Sequence, residues 1–159
     1  MKRTLMRRQV LKLVAGMALS PWPLHAASTQ TVRVQQTAAA LLAATEEGSL
    51  LQIDLEDLCH TLKLCGSSPV SFTVTDHDVD KVLGACRNAL ARMPSHKVKA
   101  AVLVCSGNGK NFRLTNCAEV FRVIRNTVHE STYLMFGVVS DSTLLDAMRV
   151  SWLAGAPDG

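Results

Sequence analysis

Residues Leu50–Gly66 read LLQIDLEDLCHTLKLCG, and the stretch changes character at Asp54. Beyond that aspartate, Leu55, Leu58, Leu62 and Cys65 recur at helical spacing. Asp54 is placed to accept hydrogen bonds from the free N–H groups of a helix start. Glu56 and Asp57 fall in the first turn, where the helix dipole favours negative charge. Gly66 suits the position just past the helix end. On residue types alone, this is a loop that delivers capping carboxylates to a helix N-terminus.

Working outward, upstream Val32–Thr45 (VRVQQTAAALLAAT) is rich in Ala and Leu and predicts a helix ended by Glu46-Glu47-Gly48-Ser49. Downstream, Val70, Phe72 and Val74 alternate with polar residues, the pattern of a half-buried strand. Asp76 is expected to cap a helix reaching Met93, with Val79, Val82, Leu83, Cys86, Ala89 and Leu90 inward and Pro94 as the stop. Val98–Cys105 (VKAAVLVC) reads as a buried strand. It is followed by a loop SGNGKN at Ser106–Asn111 and a short extended piece at Phe112–Leu114. A helix over Asn116–Glu130, a strand over Tyr133–Val139, a turn over Asp141–Ala147 and a last strand over Met148–Ala154 complete the chain. Alternating helices and apolar strands imply one sheet covered by helices.

The sequence has 159 residues, 48% of them hydrophobic and 19% charged, a globular composition. The net charge of +4 is concentrated at one end. Residues 1–27 hold Lys2, Arg3, Arg7, Arg8 and Lys12 and no acid, so the remainder carries twelve basic against thirteen acidic residues. That body is not a basic nucleic-acid binder. Only 4% of residues are aromatic, which argues against a stacking platform for single strands. No apolar run is longer than Leu13–Leu19, which is far short of the roughly 20 residues of a membrane span.

Residues 1–28 have the layout of a secretory leader: a basic start, an apolar stretch, helix-breaking Pro21 and Pro23, and small Ala26, Ala27 and Ser28. Arg7-Arg8-Gln9-Val10-Leu11-Lys12 resembles the twin-arginine export motif, with Met6 and Val10 as departures. A working leader places the body in the periplasm. Otherwise it is a basic cytoplasmic helix or an upstream extension. Either way the leader is set apart from the fold, whose domain is expected over 33–157.

Several motifs carry no chemistry. SGNGKN lacks the spacing and the Ser/Thr of a phosphate loop, so a tight turn needing positive φ is expected. The five cysteines, Cys59, Cys65, Cys86, Cys105 and Cys117, form no C-x-x-C and no zinc spacing. Cys65, Cys86 and Cys105 sit on apolar faces as small core residues. Cys59 and His60 are adjacent on a helix and point apart, which disfavours a nucleophile–base or metal pair. His25, His77, His96 and His129 have no ligand spacing.

Leu50–Gly66 resembles the segment G-L-I-N-V-D-F-A-D-V-R-T-V-M-S-E-M-G of the bacterial tubulin homologue FtsZ. Leu50, Asp54, Asp57 and Gly66 match, and Leu51, Ile53, Leu55 and Leu58 are apolar where the family is apolar. The likeness continues through Val102-Leu103-Val104, Arg113-Leu114, Ile124-Arg125, Gly137, Asp141, Asp146, Arg149-Val150 and Ala154. The register needs no gap from Val102 to Ala156, and coverage is about residues 35–157.

The resemblance implies the C-terminal domain of FtsZ: an α+β two-layer sandwich of about four strands packed on helices. In that family the loop before the helix carries carboxylates into the nucleotide pocket of the next subunit. Asp54 and Asp57 stand at those positions, able in trans to orient water near a phosphate. Gln52 stands where the family has Asn, and Gln52, Asp54, Glu56 and Asp57 form the implied partner-binding set.

The departures are specific. No G-G-G-T-G-T-G loop occurs, Cys59 replaces an Arg, Cys105-Ser106-Gly107 replaces Asn-Ile-Thr, and Ala154-Gly155-Ala156 replaces A-T-G. The connection after Gly66 is shorter, and no tail for membrane-anchor partners is expected after Gly159. The implied chain has no cofactor or metal of its own and is not an enzyme by itself. It is expected to be a module that contacts a tubulin-like division filament. The alternatives are an exported domain reusing the fold for another interaction, or a decayed fragment.

Overall fold

The computed structural model describes residues 2–17, 27–67, 69–93 and 97–157. Along the chain come α1 (Lys2–Met17), α2 (Ala27–Ala43), α3 (Leu55–Leu64), β1 (Val70–Asp76), α4 (Val79–Ala91), β2 (Ala100–Gly107), α5 (Leu114–Thr127), β3 (Tyr133–Ser140) and β4 (Met148–Gly155). A 3-10 turn over Ser142–Leu144 joins the last two strands. The class is α+β, as the sequence implies.

The four strands form one mixed sheet in the order β1-β4-β2-β3. β4 pairs antiparallel with both β1 and β2, while β2 and β3 run parallel. A parallel neighbour needs a crossover, and α5 supplies it. All eight residues of β2 are buried, which is why it reads as an unbroken apolar run. Its side chains alternate between two cores. Ala100, Val102 and Val104 meet Leu41 of α2 and Leu58 and Leu62 of α3. Ala101, Leu103 and Cys105 meet Val82, Cys86 and Leu90 of α4 and Val120 and Ile124 of α5. The sheet and α4/α5 make the sandwich; α2 and α3 cover the opposite face.

Element boundaries depart from the sequence reading where a distant partner decides them. α4 is capped by Asp78, which accepts from Asp80 N at 2.9 Å. Asp76 is the last residue of β1, held in the ladder opposite Met148, and its carboxylate instead closes the turn by accepting from Asp78 N at 2.9 Å. That bond, the largest contribution, holds the Asp76 carboxyl below its ordinary pKa. The extended piece expected at Phe112–Leu114 is absent: Phe112 N donates to Gly109 O in a turn, and Leu114 opens α5. α5 ends at Thr127, three residues short of Glu130, because Val128 turns to extended backbone. The Arg125 guanidinium then donates to Thr132 O at 3.0 Å and His129 O at 2.8 Å, tying this turn to β3. α2 begins at Ala27 and ends at Ala43, earlier at both ends than Val32–Thr45. Pro21, Pro23, His25, Ala26, Pro94 and His96 lie outside the described residues.

The basic leader, set apart from the fold on sequence grounds, packs as α1 against α2 and α3. Val10 is 0% and Val14 2% exposed, and Met6 and Leu13 lie half-buried against the same core. No helix among the described residues is long and apolar enough to cross a membrane.

All five cysteines are buried and free. Burial pushes the Cys65 and Cys86 thiols up to about 12 from 9.0. The folded protein thus favours the neutral thiol. This contribution is fully present below the ordinary thiol pKa and drains away as pH rises towards 12. Each thiol loses about 1.4 kcal/mol per pH unit in that window. In urea unfolding under reducing conditions these two thiols should together contribute about 3 kcal/mol less stability at pH 10 than at pH 8. Cys65→Ala with Cys86→Ala should reduce the slope, the buried Cys59 and Cys105 thiols, also raised, keeping the rest, and an equal slope in that variant would refute the assignment.

Candidate functional site

The site is built on the connection between α2 and α3. Past Ala43 the chain turns back on itself: Thr45 Oγ1 donates to Leu42 O at 2.7 Å and Ser49 Oγ to Ala43 O at 2.9 Å. Gly48, at φ 95, takes the left-handed backbone that the reversal requires. Leu51 and Val138 then exchange backbone hydrogen bonds at 3.1 and 3.0 Å, laying the loop on the free edge of β3. Ile53 N donates to Ala44 O at 2.8 Å.

Gly137 explains why the loop lies so close. A Cβ there would stand 2.8 Å from Ile53 Cδ1 and 2.9 Å from Ala44 Cβ. Gln52 turns its amide inward, donating from Nε2 to Thr45 O at 3.1 Å. It ties the loop to its own backbone.

Asp54 caps α3 as its spacing implies. Its Oδ1 accepts from Glu56 N at 2.7 Å and Asp57 N at 3.2 Å. Asp54, Glu56 and Asp57 are all exposed around the helix start. The Asp57 carboxylate makes no hydrogen bond or ion pair among the described residues. Between this loop and α1 lies an open cleft of about 360 Å³, with Ile53, Asp54, Leu55 and Glu56 on one side and Arg3 and Met6 on the other. Asp57 stands outside it. The geometry therefore brings Gln52, Asp54, Glu56 and Asp57 to one end of α3, with Asp54 and Glu56 facing the cleft.

Sequence reasoning missed the cations. Residues 46–57 carry Glu46, Glu47, Asp54, Glu56 and Asp57 with no Lys or Arg. Arg7 pairs with Glu46, and Arg3 Nη1 stands 3.6 Å from Glu47 while its Nη2 donates to Thr45 O at 3.1 Å. The signal was the all-basic charge of the leader set against this all-acidic run.

Cys59 and His60 form no catalytic pair. His60 is exposed, whereas Cys59 is buried beneath α1, its Sγ 3.9 Å from Met6 O. Burial, opposed by Lys63, raises its thiol pKa. No group of three or more His, Cys, Asp or Glu suited to a metal occurs among the described residues. The exposed carboxylates can accept a proton or orient water, provided a partner brings the reacting group.

No family model matches the sequence, and no curated protein matches it. Solved structures do. An empty FtsZ dimer from M. jannaschii superposes with a TM-score of 0.65 at 15% identity, covering 86% of this chain and 40% of that one. The chain has an FtsZ-like fold. A mutant of the same M. jannaschii FtsZ gives 0.67 at 15% identity, covering 87% and 43%. CetZ2 from Haloferax volcanii, in a GTPγS-bound protofilament, gives 0.54 at 12%, covering 91% and 45%. The chain spans less than half the length of each of these three structures.

Within the FtsZ-like fold, the downstream residues that carried the resemblance hold turns. Asp141 Oδ1 accepts from Thr143 N at 3.0 Å and Thr143 Oγ1 at 2.6 Å, and its Oδ2 stands 3.8 Å from Arg149 Nη1. Arg149 Nε donates to Thr75 Oγ1 at 3.2 Å. Asp146, itself at φ 65, accepts from Lys110 N at 2.9 Å and pins the SGNGKN turn, where Gly109 sits at φ 78. Of the matched carboxylates, Asp54 and Asp57 are the ones at the loop-to-α3 junction.

Proposed function

We propose that this domain is a binding module for a tubulin-like filament subunit, and that it docks through the loop end of α3. The observation that carries the reading is the placement of Asp54, Glu56 and Asp57, exposed at the start of α3 on an FtsZ-like fold. The solved structures with this fold include an FtsZ dimer and a CetZ2 protofilament, assemblies of like subunits. In this reading Asp57 offers its uncommitted carboxylate to the partner's nucleotide pocket. Asp54 adds negative charge beside it and holds the helix start in place. The domain brings no nucleotide chemistry of its own; it acts on the partner's.

The test is co-sedimentation with FtsZ filaments and their GTP turnover, comparing the full chain with Asp54→Asn plus Asp57→Asn. Asn retains the cap, so stability should change by only a few tenths of a kcal/mol, about. The effect on turnover should be lost. Asp54→Ala alone should cost about 1 kcal/mol of stability through the lost cap. An undiminished effect in the double Asn variant would sink the contribution in trans, and failure of the full chain to sediment would sink the docking.

A further inference from the structure

We propose that the face formed by α2, the acidic loop and α3 is a receptor for a basic helix, that α1 is its occupant within the same chain, and that α1 is a releasable cover over that face. The filament arm of this inference rests on the function proposed above; the cover itself does not.

Complementarity is the first argument. α1 presents Met6, Val10 and Val14 at four-residue intervals to Leu41, Leu58 and Cys59, while Arg3 and Arg7 reach Glu47 and Glu46. Apolar stripe and charge both match one side of the helix to one face of the body.

Releasability is the second. α1 docks by one side only: Val10 and Val14 are buried, whereas Leu5 and Leu11 remain 60% and 50% exposed. Its ion pairs join partly exposed side chains, which salt screens. The sheet core beneath is closed by α2 and α3, whose Leu41, Leu58 and Leu62 pack on Ala100, Val102 and Leu153. Nor does α1 hold itself. Its first turn carries Lys2 and Arg3 with no acid and its last turn no base, the wrong sign for the helix dipole at its start. A helix of this length without docking is marginal in water. Release and unfolding of α1 are therefore one step, which leaves the body intact.

Occlusion is the third. Arg3 and Met6 form the wall of the cleft opposite Asp54 and Glu56. With α1 in place the apolar face of α2 and α3 is filled, while Asp54, Glu56 and Asp57 stay exposed at its rim.

Cys59 reports the step directly, because it is buried beneath α1 whereas Cys86, Cys105 and Cys117 lie in the core on the other side of the sheet. The experiment is thiol labelling of the full chain under native conditions, with each site followed by peptide mass. We expect Cys59 to label at least tenfold faster than Cys86, and faster again in 1 M than in 0.05 M salt. Arg3→Glu with Arg7→Glu, which touches no core residue, should raise Cys59 labelling at least a further tenfold and leave Cys86 unchanged. Val10→Asp, which removes a buried anchor, should do the same. Cys59 labelling at the Cys86 rate in all forms would overturn the proposal, since α1 would then leave only on global unfolding. Labelling at the rate of a free thiol in the unaltered chain would overturn it too, since α1 would not cover the face. Sedimentation with FtsZ filaments separates the two readings. A charge-reversed chain with exposed Cys59 that still fails to sediment refutes the filament partner and leaves the cover standing.

Discussion

Replacing Trp152 by Ala should lower the unfolding free energy by about 4 kcal/mol. Trp152 sits mid-strand in β4, 1% exposed, opposite Phe72 of β1 and Leu103 of β2. Its ring meets Phe72 edge-on at 6.1 Å and faces the core shared with α4 and α5. Strands on both sides hold the backbone, so the space left by the ring cannot collapse, and the cavity penalty adds to the lost burial. A typical domain has only about 5–15 kcal/mol in total. Trp152→Phe separates ring from polar atom. The indole Nε1 is buried with no hydrogen-bond partner among the described residues, so Phe removes an unsatisfied donor while keeping much of the packing. Its cost should be about 1–2 kcal/mol. Urea unfolding followed by circular dichroism measures both, and a cost below about 1 kcal/mol for Ala would contradict the packing of β4.

Gly155→Ala should cost about 3 kcal/mol or more, at the upper end of overpacking. A Cβ at Gly155 would stand 2.0 Å from Cys65 O and 2.9 Å from Cys65 C, both backbone atoms. Neither side can yield. Cys65 N is bonded to Thr61 O and Leu62 O, its Sγ donates to Ala100 O at 3.4 Å, and Gly155 O accepts from Lys99 N at 2.8 Å. Gly84→Ala is the internal control. Gly84 lies within α4 with nothing within 4 Å of an added Cβ, so this change should stabilise by about 0.5–1 kcal/mol. Two Gly→Ala changes in one protein should thus have opposite signs. Equal effects in chemical unfolding would disprove the contact. The same contact accounts for one departure: Gly155 stands where the resemblance has Thr, whose side chain would meet the Cys65 carbonyl.

What the sequence reveals follows from how local each decision is. The Asp54 cap and the Gly66 stop, the latter at φ 75, depend on neighbours within a few residues, and the structure bears both out. The buried run of β2 is legible because a strand covered on both faces has little room for polar residues. Asp76 and Asp78 are both residue types that cap helices; pairing with Met148, 72 residues away, decides between them. The start of α5 was hidden because Arg113, its N-cap, offers no capping hydrogen bond. At the candidate site, the acidic residues were legible from their place before a helix. The inward turn of Gln52 was not, since it depends on how tightly the loop folds back on Thr45. The role of Arg3 and Arg7 was hidden for the same reason: their partners lie about forty residues on.

β4 has a consequence for how the protein is made. It follows the other three strands in sequence, yet it lies between β1 and β2 and supplies the ladder partner of both. During vectorial synthesis, β2 and β3 can pair with α5 between them, but β1 has no partner in the sheet until residues 148–155 emerge. The half-made sheet exposes an unfilled slot flanked by two strand edges, a site for mispairing or for a holding chaperone. Folding is therefore a closing event, completed when the last-made strand enters the middle of the sheet.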